Sequence, residues 1–562
     1  MEPTDPAKRS KLSLAHRVLL TLLVCFILAI HGRLAWSRFW PGPLASQQLP
    51  FTNTDHPLQF YYGQLTRQFF HNRGAFWGYD PSFMAGYAKS IVFPTSSTLP
   101  DLVAIVSGSA GAWSYNLIST MSIFLTPVLL SLAAIVFTRH WPTGVLTLVI
   151  AVQWVWCSLP RAYIEWGMGP FILTSATSVL SAALLARWLD GGSPSSWGCG
   201  TLLGATAIIL HPLSLVVLGL TVGPAYLVRV RSLTMRRHLS AVLVPVVVAI
   251  VWSPWWIPAV VLRDTYGTSA VGFVNQNIRG RIDELLQAQF PEESALAIAA
   301  FITCPIVLGL GSRRRWIPIA WGTLMFVAVG VSQLTSWKIS IERIWPVISV
   351  MGAALVIDLC IGIARNGSAC SACLFVGAVL HFAMAYLGGA TEWLWSLQPG
   401  RFSQPLYAIL IVFVSVGVTG MVSGLKDRPW TNVRYEQLVL LLIAVGGLRM
   451  VWRGAEQLLN FKEVRPLRSA LPIAVHEMVG AIKVVTDSSG RILFEDRGRL
   501  NFGKSMHDPF SDTNPSALLP LLAPGQYIGG PYLYTNLKSN FTQFGDGKLL
   551  EHSVKSLQFE TF

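Results

Sequence analysis

Residues 51–102 read FTNTDHPLQFYYGQLTRQFFHNRGAFWGYDPSFMAGYAKSIVFPTSSTLPDL. Acids (Asp55, Asp80, Asp101), bases (His56, Arg67, Arg73, Lys89) and many aromatic rings are interleaved here. On either side the chain is apolar. The run from Val18 to Ile30 precedes this stretch, and a hydrophobic segment beginning near Ala112 follows it. A polar and aromatic stretch enclosed by membrane-length segments reads as a loop held at one membrane face. The whole stretch between the two segments runs from Ser37 to Gly111.

Further hydrophobic segments begin near Thr143, Phe171, Gly198, His238, Ser294, Trp316, Ile344, Ala369, Gln404 and Arg434. Most are about 20 residues long, enough to cross a bilayer. Of the 562 residues, 52% are hydrophobic and 12% charged, against about 25% charged in soluble domains. That excludes an ordinary cytosolic enzyme and a disordered chain. The net charge of +14 fits basic residues gathered in cytoplasmic loops, and no nucleic-acid-binding motif accompanies it. The seven cysteines lie in or beside hydrophobic segments, so neither a disulfide framework nor a zinc site is expected. Cys370 and Cys373 have CxxC spacing but open an apolar helix, where small packing residues are the expectation.

Lys8, Arg9, Lys11 and Arg17 precede the first apolar run, and no small-residue cleavage site follows it. This predicts an uncleaved first span with a cytoplasmic N-terminus. Basic clusters at Arg139-His140, Arg229 to His238, Arg313 to Arg315, Arg365 and Lys426 to Arg428 set the topology. They alternate correctly if the apolar stretch from Gly198 to Val228 is a hairpin of two short helices broken at His211-Pro212. A single long kinked helix is the alternative. With the hairpin the fold is a mainly α, polytopic membrane helix bundle of about 13 spans, with the C-terminus extracytoplasmic. Residues 1–452 form the membrane-embedded part. Residues 453–562, with balanced charge and short apolar runs, predict a small extracytoplasmic α/β domain.

This topology brings polar residues to one face: the loop acids, Arg161 and Glu165, His211 at the hairpin tip, Lys338, Glu342 and Arg343, and Arg401. Ionisable groups at a membrane boundary are costly and often functional, and aromatic faces stack on sugar rings. The same features also serve as snorkelling charges and interfacial anchors.

TDHPLQFYYGQL (54–65), WGYDPSFMAGY (77–87) and FPTSSTLPDL (93–102) resemble the first outer loop of GT-C glycosyltransferases. Together with LQPGRFSQP (397–405) and ALLPLLAPGQYIGGPYLYTN (517–536), they resemble bacterial membrane proteins described as related to 6-pyruvoyl-tetrahydropterin synthase. The GT-C resemblance implies an inner-membrane enzyme. It would transfer a sugar from a polyprenyl-phosphate donor to a glycan, lipid or protein acceptor outside the cytoplasm. By that resemblance Asp55 is the general base and Asp80 positions acceptor or sugar. Glu165 is a second-loop acid, and His211 with Arg343 or Arg401 stabilises the leaving phosphate.

No cofactor is implied with certainty. His56-Pro57 follows Asp55 where many GT-C enzymes place a second acid, which argues against a divalent metal. The tail also stops sooner than in the look-alikes. Two other readings stay open: a transporter or flippase for a lipid or polysaccharide, for which Asp358 is the mid-span charge, and a non-catalytic scaffold in envelope assembly.

Overall fold

A computed structural model of the chain describes residues 14–40, 49–83, 86–89, 98–108, 111–261, 359–363, 367–391, 397–426, 466–467, 469–485, 491–493 and 515–528, with single positions at 296–297, 299–300, 303 and 394. Arg343, Asp358, most of the segments beginning at Ser294, Trp316, Ile344 and Arg434, and most of the tail lie outside these residues.

The elements run α1 (Leu14–Phe39), α2 (His56–Arg73), β1 (Gly78–Asp80), β2 (Tyr87–Lys89), α3 (Thr98–Ser107), α4 (Gly111–Thr138), α5 (Trp141–Cys157), α6 (Leu159–Glu165) and α7 (Gly169–Leu189). They continue with α8 (Pro194–Leu210), α9 (Ser214–Arg229), α10 (Met235–Val261), α11 (Ala369–Phe382), α12 (Ser403–Lys426), α13 (Ile473–Val485), β3 (Arg491–Leu493), α14 (Leu519–Leu522) and β4 (Gln526–Ile528). Among the described residues seven helical segments are long and apolar enough to cross a membrane, or eight if α5 and α6, bent by 57°, count as one. The outer face of α1 (Leu19, Leu22, Phe26) is exposed, whereas α7 is buried along most of its length. The bundle therefore has α7 at its centre and α1 at its edge.

Contacts between helix ends give the bundle its polarity. Thr120 of α4 donates to the Phe39 carbonyl at the end of α1 (2.5 Å), so α1 finishes where α4 starts. At the opposite end Thr143 of α5 meets Thr419 of α12 (3.0 Å). Asp190, just after α7, binds Arg229 at the end of α9 (2.7 Å) and accepts from the Ala369 and Cys370 amides that open α11 (2.7 and 3.1 Å). A carboxylate at a helix N-terminus satisfies orphan N–H groups and the helix dipole together.

The same contact settles the form of the Gly198–Val228 stretch. Helix α8 starts four residues after Asp190, and α9 ends on Asp190 itself. The two arms leave and return at one end of the bundle, with the turn at His211-Pro212, as a proline-broken hairpin requires.

The described residues between 49 and 108 cap the other end. Helix α2 carries β1 and β2, an antiparallel pair with Tyr79 opposite Ala88. The described C-terminal segments pack onto α2: Leu58, Tyr61, Phe69 and Phe83 share one buried cluster with Val475, Val479, Leu518 and Tyr527. The Tyr527 amide donates to the Ser82 carbonyl (2.8 Å). Strands β3 and β4 pair in parallel, with Ile492 opposite Tyr527. Ile482 to Val485, by contrast, completes a helix.

Candidate functional site

Asp55 stands at the N-terminus of α2 and makes no side-chain cap bond to that helix. Its half-buried carboxylate is thus not used for capping, while the helix dipole favours its charge. The backbone around it is clamped from two sides. The Asp55 amide donates to the Trp166 carbonyl (3.1 Å). His56, fully buried, donates from Nε2 to the Ile164 carbonyl (3.0 Å) and accepts at Nδ1 from the Tyr115 hydroxyl (3.0 Å). Burial, partly offset by the Ile164 and Glu165 carbonyls, pushes the His56 imidazole down to about 4. It is a neutral clamp at physiological pH and not a base.

The partner segment is α6 and the turn after it. Ser158 and Pro160 break α5 from α6, and proline in the first turn of α6 costs no hydrogen bond. Gly167 then takes φ +89°, a left-handed conformation that glycine adopts freely. A Cβ there would lie 2.8 Å from the His56 nitrogen and 3.0 Å from the Asp55 carbonyl carbon. Glycine is thus what lets the second outer segment lie against Asp55.

Glu165 is brought to the same place, held by Arg38 of α1 (2.8 Å) and by Arg161 one turn earlier (3.5 Å). The aromatic rings of Trp166, Tyr163, Phe171 and His211 form a chain, with centroid spacings of 5.7, 6.3 and 5.0 Å. His211 is fully buried, and its Nδ1 accepts from the Leu213 amide (3.2 Å). Burial first, and the positive charge of Arg401 second, hold it well below the usual imidazole range. Backbone and ring contacts therefore link Asp55, Glu165 and His211 at one end of the bundle, and Arg401 lies close enough for its charge to act on His211.

Asp80 is placed differently. It is fully buried, accepts from the Tyr61 hydroxyl (2.8 Å) and the Ser82 amide (2.8 Å), and fixes the β1–β2 turn against α2. Burial and the Asp80 charge push the Tyr61 phenol upward, which keeps it a donor.

Two pairings escaped the sequence reading. Arg38 is a single cation at the end of an apolar run, and its pairing with Glu165 is long-range. Lys89 and Asp101 form a fully buried pair (2.8 Å to both carboxylate oxygens). Lys89 also donates to Thr66, and Trp255 of α10 donates to Asp101 (3.2 Å). Burial pushes Asp101 up and Lys89 down, opposed by their mutual attraction. This pair ties β2, α2, α3 and α10 together beneath the loop.

These residues do not fit a hard divalent cation. Both His56 nitrogens are used, and Glu165 is balanced by two guanidinium groups. Among the described residues no group of three His, Cys, Asp or Glu side chains is placed to hold a metal.

The helix bundle and its capping loop share their overall fold with a solved archaeal membrane protein. The oligosaccharyltransferase of Archaeoglobus fulgidus in its apo form superposes with a TM-score of 0.50 at 12% identity, over 92% of this chain and 65% of that one. The oligosaccharyltransferase AglB from the same archaeon, in complex with an inhibitory peptide and a dolichol-phosphate, gives 0.49 at 12% identity, over 92% and 65%. The oligosaccharyltransferase of the apo structure, tethered to an acceptor peptide, gives 0.49 at 11%, over 91% and 63%. The chain thus spans just under two thirds of these proteins' length. No protein-family model and no curated protein matches it.

Proposed function

We propose that the protein is an integral membrane glycosyltransferase that moves a sugar from a polyprenyl-phosphate donor to an acceptor on the far side of the membrane. The observation that carries this reading is the convergence of Asp55, the Glu165 segment, His211 and Arg401 at the loop-capped end of a GT-C-like bundle. Asp55 takes the proton from the acceptor hydroxyl as that oxygen attacks the anomeric carbon. The bond from that carbon to the phosphate oxygen breaks on the opposite face, so the product is inverted. The phosphate leaves with the electron pair. Arg401 offsets its charge, and neutral His211 supplies a hydrogen bond from Nε2. Asp80 acts by shaping the loop floor, and Arg343 is a further candidate for the phosphate. Such an enzyme sits in an inner membrane with its N-terminus cytoplasmic.

The test is to supply purified protein in nanodiscs with a panel of radiolabelled polyprenyl-phosphate hexoses and pentoses, together with envelope extract as acceptor. Label passing to a new product, with release of polyprenyl phosphate, is expected. Folded protein that releases no polyprenyl phosphate from any donor would count against transfer.

A further inference from the structure

Among the described residues three other than glycine take a positive φ: Thr54 (+42°), Arg139 (+55°) and Gln398 (+53°). Arg139 has an ordinary reason, since it follows α4 directly and a left-handed residue commonly ends a helix. Gln398 opens the turn that leads to Arg401, whose amide donates to the Gln398 carbonyl (2.9 Å). Thr54 immediately precedes Asp55. It alone of the three is β-branched, and for a β-branched side chain this conformation is a genuine outlier.

The turn demands the conformation but does not demand threonine. The His56 amide donates to the Asn53 carbonyl (3.1 Å), so Thr54 and Asp55 are the central residues of a four-residue turn. Thr54 has a positive φ, and Asp55 follows at φ −91°, ψ −7°. In that pattern the first central position ordinarily belongs to glycine. Thr54 cannot relax, because the next two residues are fixed from outside. The Asp55 amide is held on the Trp166 carbonyl, and the His56 ring between Tyr115 and the Ile164 carbonyl. Glycine would adopt the turn freely. A threonine kept there at a cost has a side chain in use, and strained residues of this kind cluster at ligand clamps.

That use is not internal. The Thr54 hydroxyl makes no hydrogen bond among the described residues, and Thr54 is half-buried, as Asp55 is. A third group stands beside them. Trp166, joined to Asp55 by the backbone bond, is 41% exposed, with Tyr163 against its ring at a centroid spacing of 5.7 Å. A hydroxyl that donates and accepts, a carboxylate that accepts and an open aromatic ring thus lie within one turn and one backbone bond of each other. A sugar matches all three, because it carries neighbouring hydroxyls on its rim and an apolar C–H face that can lie on an aromatic ring. The isolated hydroxyl of a peptide or a lipid alcohol would leave Thr54 without a partner.

We propose that the acceptor is a glycan: its reacting hydroxyl faces Asp55, a neighbouring hydroxyl binds the Thr54 hydroxyl, and its ring lies on Trp166. The proposal rests on the transferase reading and adds to it the class of acceptor and two residues that select it.

The donor probes are a ten-carbon prenyl phosphate carrying labelled glucose, galactose, mannose or arabinose. The acceptor probes are the methyl glycosides of the same sugars, with octanol and a serine peptide as single-hydroxyl controls, all assayed with the full chain in nanodiscs. Wild type should label at least one methyl glycoside with kcat/KM about tenfold or more above either control, the scale of one or two ligand hydrogen bonds. Thr54→Val and Trp166→Leu should each raise the acceptor KM about tenfold while kcat and donor affinity change little, the signature of binding lost equally from ground and transition states. Thr54→Gly should raise the acceptor KM likewise, with an equal or higher thermal midpoint, because the strain is gone. A control acceptor used as efficiently as every glycoside would overturn the proposal. So would an unchanged acceptor KM in Thr54→Val or Trp166→Leu, or a lower midpoint in Thr54→Gly. Release of prenyl phosphate with no label on any glycoside would overturn it as well. No release from any donor would instead overturn the transferase reading on which the proposal stands.

Discussion

Gly167→Ala tests whether the second outer segment positions Asp55. The new Cβ would sit 2.8 Å from the His56 nitrogen, where ordinary Cβ contacts begin near 3.4 Å, so something must move by about 0.6 Å. The obstructing atoms are backbone, and they belong to the Asp55-His56 peptide. The φ of +89° adds about 1–3 kcal/mol of strain for any residue with a side chain. The 3.1 Å bond from the Asp55 amide to Trp166 is the first to yield. Hydrogen–deuterium exchange across residues 55–58 should rise, and the thermal midpoint should fall by a few degrees. Turnover should drop roughly tenfold to a hundredfold, the scale of a sub-ångström to 1 Å misplacement of a reacting group. Unchanged exchange at Asp55 together with an unchanged midpoint would refute the contact.

Lys89→Met leaves Asp101 buried and unpaired and should cost about 3–5 kcal/mol in chemical denaturation; adding Asp101→Leu should restore most of it. His56 is held at about 4 against an ordinary 6.5, so its contribution is full above pH 6.5 and is lost as pH falls through 4. Wild type should therefore lose about 3 kcal/mol more than His56→Gln between pH 7 and pH 4, measured as the difference between the two stability profiles.

Much of this architecture was legible because membranes constrain sequence strongly. The His211-Pro212 break follows from proline chemistry, and the hairpin follows from the basic run at Arg229. Counting which loops share a face puts Asp55, Glu165, His211, Arg343 and Arg401 on one side of the membrane, as an expectation from the sequence. What was not legible depends on long-range pairing. Nothing local to Asp80 says that Tyr61 and Ser82 bury it as a turn-former. Nothing near Lys89 indicates Asp101 and Trp255. Arg38 reads as a boundary charge until α6 carries Glu165 to it. Thr54 reads as an ordinary turn residue, because its left-handed backbone is imposed by carbonyls of the second outer segment.

The central claim is that Asp55 takes the proton from the acceptor. Single-turnover sugar transfer by wild type and by Asp55→Asn, with donor affinity measured in parallel, tests it most directly. The account predicts that donor binding changes little while the transfer rate falls at least about 100-fold, the scale of a lost general base. Equal transfer rates in the two proteins, with both shown to bind donor, would contradict it.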